Sequence, residues 1–311
     1  MGIRLGIDLG GTKTELIALD KNGEELLRRR VPTPTCDYTA TVKTIIALIG
    51  DAESALAGQT LGQAPTVGIG IPGTVSPATG FIKNANSTCL TGKPLDRDIE
   101  AGLGRPIRLA NDADCFALSE ATDGSGSGHT IVFGVILGTG VGGGLSIEQK
   151  IIRGPNAVTG EWGHNSLPWP DINLRETPGP ECYCGRTGCI ETFLSGPGLC
   201  RDASPDGGPI KFRGAEEVID AANTGDAAAQ VALDRYVARL SKALASVVNV
   251  IDPDVIVLGG GLSNVKYLYE AVPQTWDDFI FSDTVATLLL PPKHGDSSGV
   301  RGAAWLWPGT D

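Results

Sequence analysis

The chain has 311 residues, 41% apolar and 20% charged, enough to bury a substantial core in about two domains. Its 43 glycines and 20 prolines follow no G-X-Y period, which excludes a collagen-like chain and points to many sharp turns. A formal net charge of −11, with no basic run beyond Arg28-Arg29-Arg30, argues against a nucleic-acid or anionic-lipid partner.

Ile3 to Asp8 and Thr14 to Ala18 read as strands joined by the turn Leu9-Gly10-Gly11-Thr12-Lys13, and Glu25 to Val31 reads as a third strand of the same meander. Arg4 and Asp8 stand where a signal peptide needs an apolar core, and no stretch approaches the ~18 apolar residues of a membrane span, so a cytoplasmic chain with no membrane partner is expected. Val42, Ile45, Ile46, Ile49 and Leu56 keep helical spacing, and Val67 to Ile71 reads as a buried strand stopped by Pro72-Gly73. A helix around Leu95 to Leu103 leads to a strand at Ile107 to Ala110. Asn111-Asp112 lies where that strand passes into another helix. The order is then repeated: Phe133 to Gly138 can be laid over Leu5 to Gly10, displaced by 128 residues, and each is followed by a glycine turn and more strand-like sequence. Helical patterns at Ala215 to Ala222 and Val231 to Val248 precede a strand at Val255 to Leu258. A helix from about Ser263, a strand at Thr284 to Leu290 and a last helix from Ser297 follow, and that helix is expected to cross back to the first half. Residues 154–210 form an insertion rich in Pro, Gly and Cys. The predicted division is a small lobe, 1–122, joined by a C-terminal helix, 296–311, and a larger lobe, 123–295.

Five motifs carry chemistry, four of them outside the cysteines. Gly6-x4-Gly11-Thr12-Lys13-Thr14 comes near a P-loop, but Thr12 stands where that motif needs Lys and a strand follows instead of a helix. What it leaves is Asp8 at a strand end, before a hairpin whose amides can approach phosphates. Gly138-x-Gly140-x-x-Gly143 likewise departs from the dinucleotide fingerprint, because Leu145-Ser146-Ile147-Glu148 resumes alternation, and it reads as a second phosphate hairpin. Gly259-Gly260-Gly261, past a buried strand, either lets a planar group lie on backbone or is a plain helix-entry turn. Asp112, at the carboxyl end of a strand, is either a general base or a helix cap.

Seven cysteines are too few and too unevenly spaced for a disulfide framework. His164, Cys182, Cys184 and Cys189 supply three thiolates and an imidazole, a donor set suited to tetrahedral Zn²⁺, in a loop that has no apolar periodicity. Cys36, Cys89, Cys115 and Cys200 stand singly and read as core residues. Glu161 and Glu191 flank the metal set.

Asp8-Leu-Gly-Gly-Thr-Lys13, Asn111-Asp112, Leu137-Gly-Thr-Gly140, Gly160-Glu-x-Gly-His164 and Cys182-x-Cys-Gly-x-x-Gly-Cys-x-Glu191 together resemble the ROK family of repressors and sugar kinases, over the whole chain. Lys83 to Thr88, Trp162-Gly-His-Asn165, Leu258 to Asn264 and Lys293 to Ala304 look like the bacterial fructokinases and mannokinases of that family. The resemblance implies an α/β, duplicated actin-like and ribonuclease-H-like ATPase fold, with a central cleft and a zinc-bound insertion. It also implies an ATP- and Mg²⁺-dependent hexose kinase acting on the 6-hydroxyl of D-fructose, with mannose or glucose as further substrates, and a homodimer. A kinase for N-acetylglucosamine or glucose is the alternative, and a sugar-sensing regulator without turnover a further one. Repressors of the family carry a helix-turn-helix domain before the strand that here begins at residue 3, which disfavours the regulator.

Carried over, Asp112 would accept the proton of the sugar hydroxyl, while Asn111, Glu161, His164 and Glu191 grip the other hydroxyls. Asp8 would orient Mg²⁺, and Gly10, Gly11, Thr12, Gly138, Thr139 and Gly140 would receive phosphates. Lys13 joins that loop, and Gly259 and Gly260 join the nucleotide site. His164 would face zinc with one ring nitrogen and sugar with the other. Zinc loss is therefore expected to raise the KM for sugar much more than that for ATP, whose hairpins lie in separate sequence regions.

Overall fold

The two alternating patterns become two five-stranded sheets in the computed structural model, which describes residues 2–59, 63–85, 87–204 and 208–308. Asn86, 205–207 and 309–311, which fall within the segments singled out above, lie outside the described residues. β1 (Arg4–Leu9), β2 (Lys13–Leu19) and β3 (Glu25–Pro32) form an antiparallel meander. α1 (Tyr38–Leu56) buries Ile45, Leu48, Ile49, Ala52 and Leu56 along one face, and the Asp37 carboxylate caps it by accepting from the Ala40 amide. β4 (Thr66–Ile71) pairs parallel with β1. A two-stranded ribbon, β5 (Thr74–Val75) and β6 (Ile82–Lys83), then precedes α2 (Leu95–Leu103) and β7 (Arg108–Asn111). The first sheet runs β3-β2-β1-β4-β7.

After α3 (Asp112–Thr122) the plan repeats with β8 (Ile131–Leu137), β9 (Val141–Ile147) and β10 (Lys150–Ile151). The insertion then leads into α4 (Ile190–Leu194), α5 (Gly196–Asp202), α6 (Ala215–Asn223) and α7 (Ala227–Ile251). β11 (Val255–Gly259), α8 (Lys266–Ala271), β12 (Leu288–Leu290) and α9 (Ser298–Ala304) complete the chain. The second sheet runs β10-β9-β8-β11-β12, the same order with β8 in the place of β1.

The two halves exchange helices. α9 lies on the first sheet, where a Cβ at Gly6 would run into the Val300 carbonyl and one at Gly68 into that of Ala303. α3 lies on the second sheet, where Gly134, the counterpart of Gly6 at the 128-residue displacement, gives room to Ala117 and Phe116. Glycine is required at these positions because helix backbone approaches strand backbone closer than a side chain permits. The crossing is held by Glu120, a fully buried carboxylate at the end of α3 that accepts from the Ser298 hydroxyl at 2.6 Å and from the Ser125 amide at 2.8 Å. The insertion is held by a buried pair, Arg239 on α7 and Glu176, 2.7 Å apart.

Several expectations are corrected. The strand predicted from Thr284 shrinks to Leu288–Leu290, because its parallel partner begins only at Val255, after Pro253, and leaves earlier residues nothing to pair with. The helix expected from about Ser263 is a 3₁₀ turn at Gly261–Asn264 followed by α8, which ends just before Val272-Pro273. Within the insertion Ser195 caps α5, its hydroxyl accepting from the Gly198 amide. Of the single cysteines, Cys115 and Cys200 are buried, but Cys36 is exposed at a positive φ in the turn before α1 and Cys89 is only part-buried.

Candidate active site

β7 delivers Asn111 and Asp112 to the carboxyl end of the first sheet, where α3 starts. The cap function falls to Asn111: its Oδ1 accepts from the Ala113 amide at 2.9 Å, and its Nδ2 donates to the Gly73 carbonyl at 3.3 Å. Asp112, the first helical residue, also accepts from Ala113 with one oxygen, and it lines a cleft with Gly138, Thr139, Gly140, Glu161, His164 and Glu191. Residues that the sequence places in four separate segments therefore share one cleft.

The two glycine turns occupy equivalent sheet positions but different surroundings. Gly138 donates to the Gly140 carbonyl at 3.0 Å and has open space where a side chain would be. Gly140 makes room for Glu191, whose Oε2 accepts from the Val141 amide at 2.9 Å. In the first turn Gly10 donates to the Lys13 carbonyl, and the Thr33 hydroxyl donates to the Gly10 carbonyl at 2.8 Å. Gly11 and Thr12 line a cavity with Pro34, Cys36 and Leu90. Gly259 and Gly260 have packing reasons for lacking side chains: Phe116 fills the space at the first, and the Leu137 backbone that at the second, which has φ +78°.

The metal set is assembled by short-range turns hung on β9. Trp162 donates from Nε1 to the Gly142 carbonyl and stacks edge-on against Phe133, which places the one-turn segment Trp162–His164. Opposite it, Cys182 donates its amide to the Arg186 carbonyl, and the Ile190 amide returns to the Asn165 carbonyl. His164 Nδ1 and the three Sγ atoms lie within 4.8 Å of one another. Two of these separations, Nδ1 to Cys182 Sγ and Cys184 Sγ to Cys189 Sγ, are 3.6 Å. A tetrahedral zinc with Zn–S bonds near 2.3 Å spaces its sulfurs about 3.8 Å apart, so this donor set fits. The Arg186 backbone amide lowers the Cys184 thiol, while burial raises that of Cys189 to about 12.

Electrostatically the cleft is a nest of carboxylates. Burial, then the charge of Asp112, raises Asp8 to about 6, with Lys13 partly offsetting them. Burial also raises Asp112, against the hydrogen bonds it accepts, and Glu161 adds to the rise. Excess negative charge of this kind is what a divalent cation relieves, so Asp8 fits the Mg²⁺ role. The folded chain binds the Asp8 proton more tightly than the unfolded chain does. Ionising Asp8 therefore costs stability as the pH rises from its ordinary 3.8 to about 6, and a bound cation offsets that cost. We expect kcat/KM for MgATP to fall about tenfold per unit below pH 6. A profile flat down to pH 5 would remove Asp8 from nucleotide binding.

A family model described as the ROK family matches residues 4–310. The chain belongs to the ROK family. It is 38% identical over 308 residues to an N-acetyl-D-glucosamine kinase of Haemophilus influenzae, covering 97% of this chain and 98% of that one. The ROK hexokinase of Thermus thermophilus superimposes with a TM-score of 0.84 at 29% identity, covering 98% and 97% of the two chains. A ROK glucokinase of Streptomyces griseus, solved with glucose and AMPPNP, does so at 0.75 and 27%, covering 97% and 98%. The duplicated sheets and exchanged helices are the actin-like ATPase fold of ROK kinases.

In this ROK chain further residues stand in or beside the cleft to which the sequence alone gave no role there. Asp114, two residues beyond Asp112, is raised to about 7 by burial, and its Oδ1 is enclosed without a hydrogen-bond partner. Arg153 donates to the Thr74 hydroxyl at 3.2 Å, and Lys83 to the Asn156 carbonyl at 2.7 Å, each linking the two halves of the chain. Tyr183 stands beside His164. Of these, Tyr183 had a signal in the sequence, its position between two ligand cysteines, and Lys83 had one as the first residue of the segment Lys83 to Thr88. Among the described residues no helix is long and apolar enough to cross a membrane.

Proposed function

We propose that the protein is an ATP-dependent N-acetylglucosamine kinase that phosphorylates the sugar's 6-hydroxyl. The observation that carries this reading is the gathering of Asp112, Asn111, Glu161, His164, Glu191 and the Gly138–Gly140 turn in one cleft, in a chain similar along its length to kinases of that sugar. Phosphoryl transfer asks the protein mainly for an oriented hydroxyl, a proton acceptor, charge neutralisation and the exclusion of water. Asp112 takes the hydroxyl proton. Asn111, Glu161, His164 and Glu191 hold the remaining hydroxyls, and the amides of Gly11, Thr12, Thr139 and Gly140 receive phosphate oxygens when the cleft closes on ATP, while the cross-turn bonds of Gly10 and Gly138 shape the two turns. Mg²⁺, when held near Asp8, neutralises phosphate charge. His164, Cys182, Cys184 and Cys189 would hold a structural zinc, and the loop they close carries Glu161 and Glu191 to the cleft.

Fructose, favoured by the resemblance to fructokinases, has less support than N-acetylglucosamine, because the curated relatives similar over the whole chain are named for the latter. A coupled ADP-release assay across N-acetylglucosamine, glucose, mannose and fructose tests the assignment. N-acetylglucosamine is expected to show the highest kcat/KM, and a higher value for fructose would restore the earlier expectation.

A further inference from the structure

His164 turns Nδ1 toward the thiol cluster, 3.6 Å from Cys182 Sγ, so Nε2 is the ring nitrogen left for a sugar. That nitrogen is already engaged, 3.0 Å from the Tyr183 hydroxyl, with the two rings edge to face at 85° and 5.2 Å between centroids. With Nδ1 committed to the cluster, Nε2 carries the imidazole's single hydrogen and donates to one acceptor. A sugar hydroxyl and the tyrosine hydroxyl therefore compete for the same N–H.

Tyr183 is built to yield. Its neighbours in sequence are the cluster thiols Cys182 and Cys184, which hold its backbone, while the residue itself is 78% exposed. Among the described residues its hydroxyl has no other hydrogen-bond partner, and the residue lines the same cleft as Asp112, Glu161 and Glu191. Rotation about its side-chain bonds thus costs one exposed hydrogen bond and one edge-on ring contact.

We propose that Tyr183 is a positioning residue that caps His164 in the empty cleft and is displaced by the incoming sugar, so that it sets sugar affinity without taking part in phosphoryl transfer. This rests on the reading that His164 Nε2 contacts the sugar. When a site is competent only in the fraction of molecules whose cap is open, the apparent dissociation constant is the intrinsic one divided by that fraction. A cap closed in roughly two-thirds to nine-tenths of molecules weakens binding about three- to tenfold.

The test is calorimetric titration of N-acetylglucosamine, without ATP, into the wild type and Tyr183→Phe, followed by steady-state kinetics. Phenylalanine keeps the ring and its contact with His164 but removes the competing hydroxyl. The expected result is a sugar Kd and KM about three- to tenfold lower in Tyr183→Phe, with kcat and the KM for ATP within twofold of wild type. An unchanged sugar Kd would overturn the cap. So would a raised one, which would make the hydroxyl a sugar contact. If the hexose panel selects another sugar, the same titration is run with that sugar, so failure of the substrate assignment stays distinct from failure of the cap. Equal melting temperatures and metal content in the two proteins guard against a folding explanation.

Discussion

Asp112→Asn lowers kcat by about 10²–10⁴-fold while sugar affinity stays within a few-fold. An amide still hydrogen-bonds a hydroxyl but cannot take its proton, so the loss falls on the chemical step and not on binding. The variant is expected to fold normally, because Asn111 caps α3. Losing a carboxylate whose ionisation burial opposes removes a cost and not a support. Residual turnover has a specific source to test in Asp114, the buried carboxyl two residues on, which is raised to about 7. Single-turnover rates and calorimetric sugar affinities together decide the matter. Turnover within tenfold of wild type would reduce Asp112 to a residue of the helix start.

Cys184→Ser, or chelation of the native protein, removes one Zn²⁺ per chain, lowers the melting temperature and raises the KM for sugar about tenfold or more. Four protein donors would leave no position for water or substrate, so a metal held there would serve to keep His164 and the two glutamates in place. The separation of ATP from sugar expected from sequence is corrected by the fold. Glu191 accepts from the Val141 amide, and the Gly196 amide donates to the Gly138 carbonyl at 2.7 Å, so the metal loop also braces the second phosphate turn. The KM for ATP should therefore rise too, by less than that for sugar. Elemental analysis, thermal melts and paired KM values check this. Equal rises for both substrates would indicate general unfolding. An unchanged sugar KM in a metal-free, folded protein would rule out the coupling.

Asn111 and Asp112 show where reading the chain stops. Either could cap a helix, and only the backbone path out of β7 decides that Asn111 does so while Asp112 turns to the cleft. Asp114 and Arg153 gave no sign in the sequence, because Asp114 matters through burial beside charges from distant segments and Arg153 through the hydrogen bond it makes across to Thr74. The two glycine turns look alike in the sequence, yet the fold gives them different surroundings, Gly11 and Thr12 beside Pro34 and Leu90 and Gly138 to Gly140 beside Asp112.

What the chain determines by itself is whatever depends on short spacing: the meander of β1, β2 and β3, its copy 128 residues on, the refusal of both glycine motifs to open a helix, and a four-ligand set in a tight loop. These are legible because alternation, turn chemistry and ligand type act within a few residues. Tertiary structure alone decided that α3 lies on the second sheet at Gly134, that Glu191 spans from the metal loop to the Val141 amide, and that Tyr183 covers His164. Each of these depends on where backbone or side chains from separate elements come to rest in the packed chain, and no local periodicity encodes that distance.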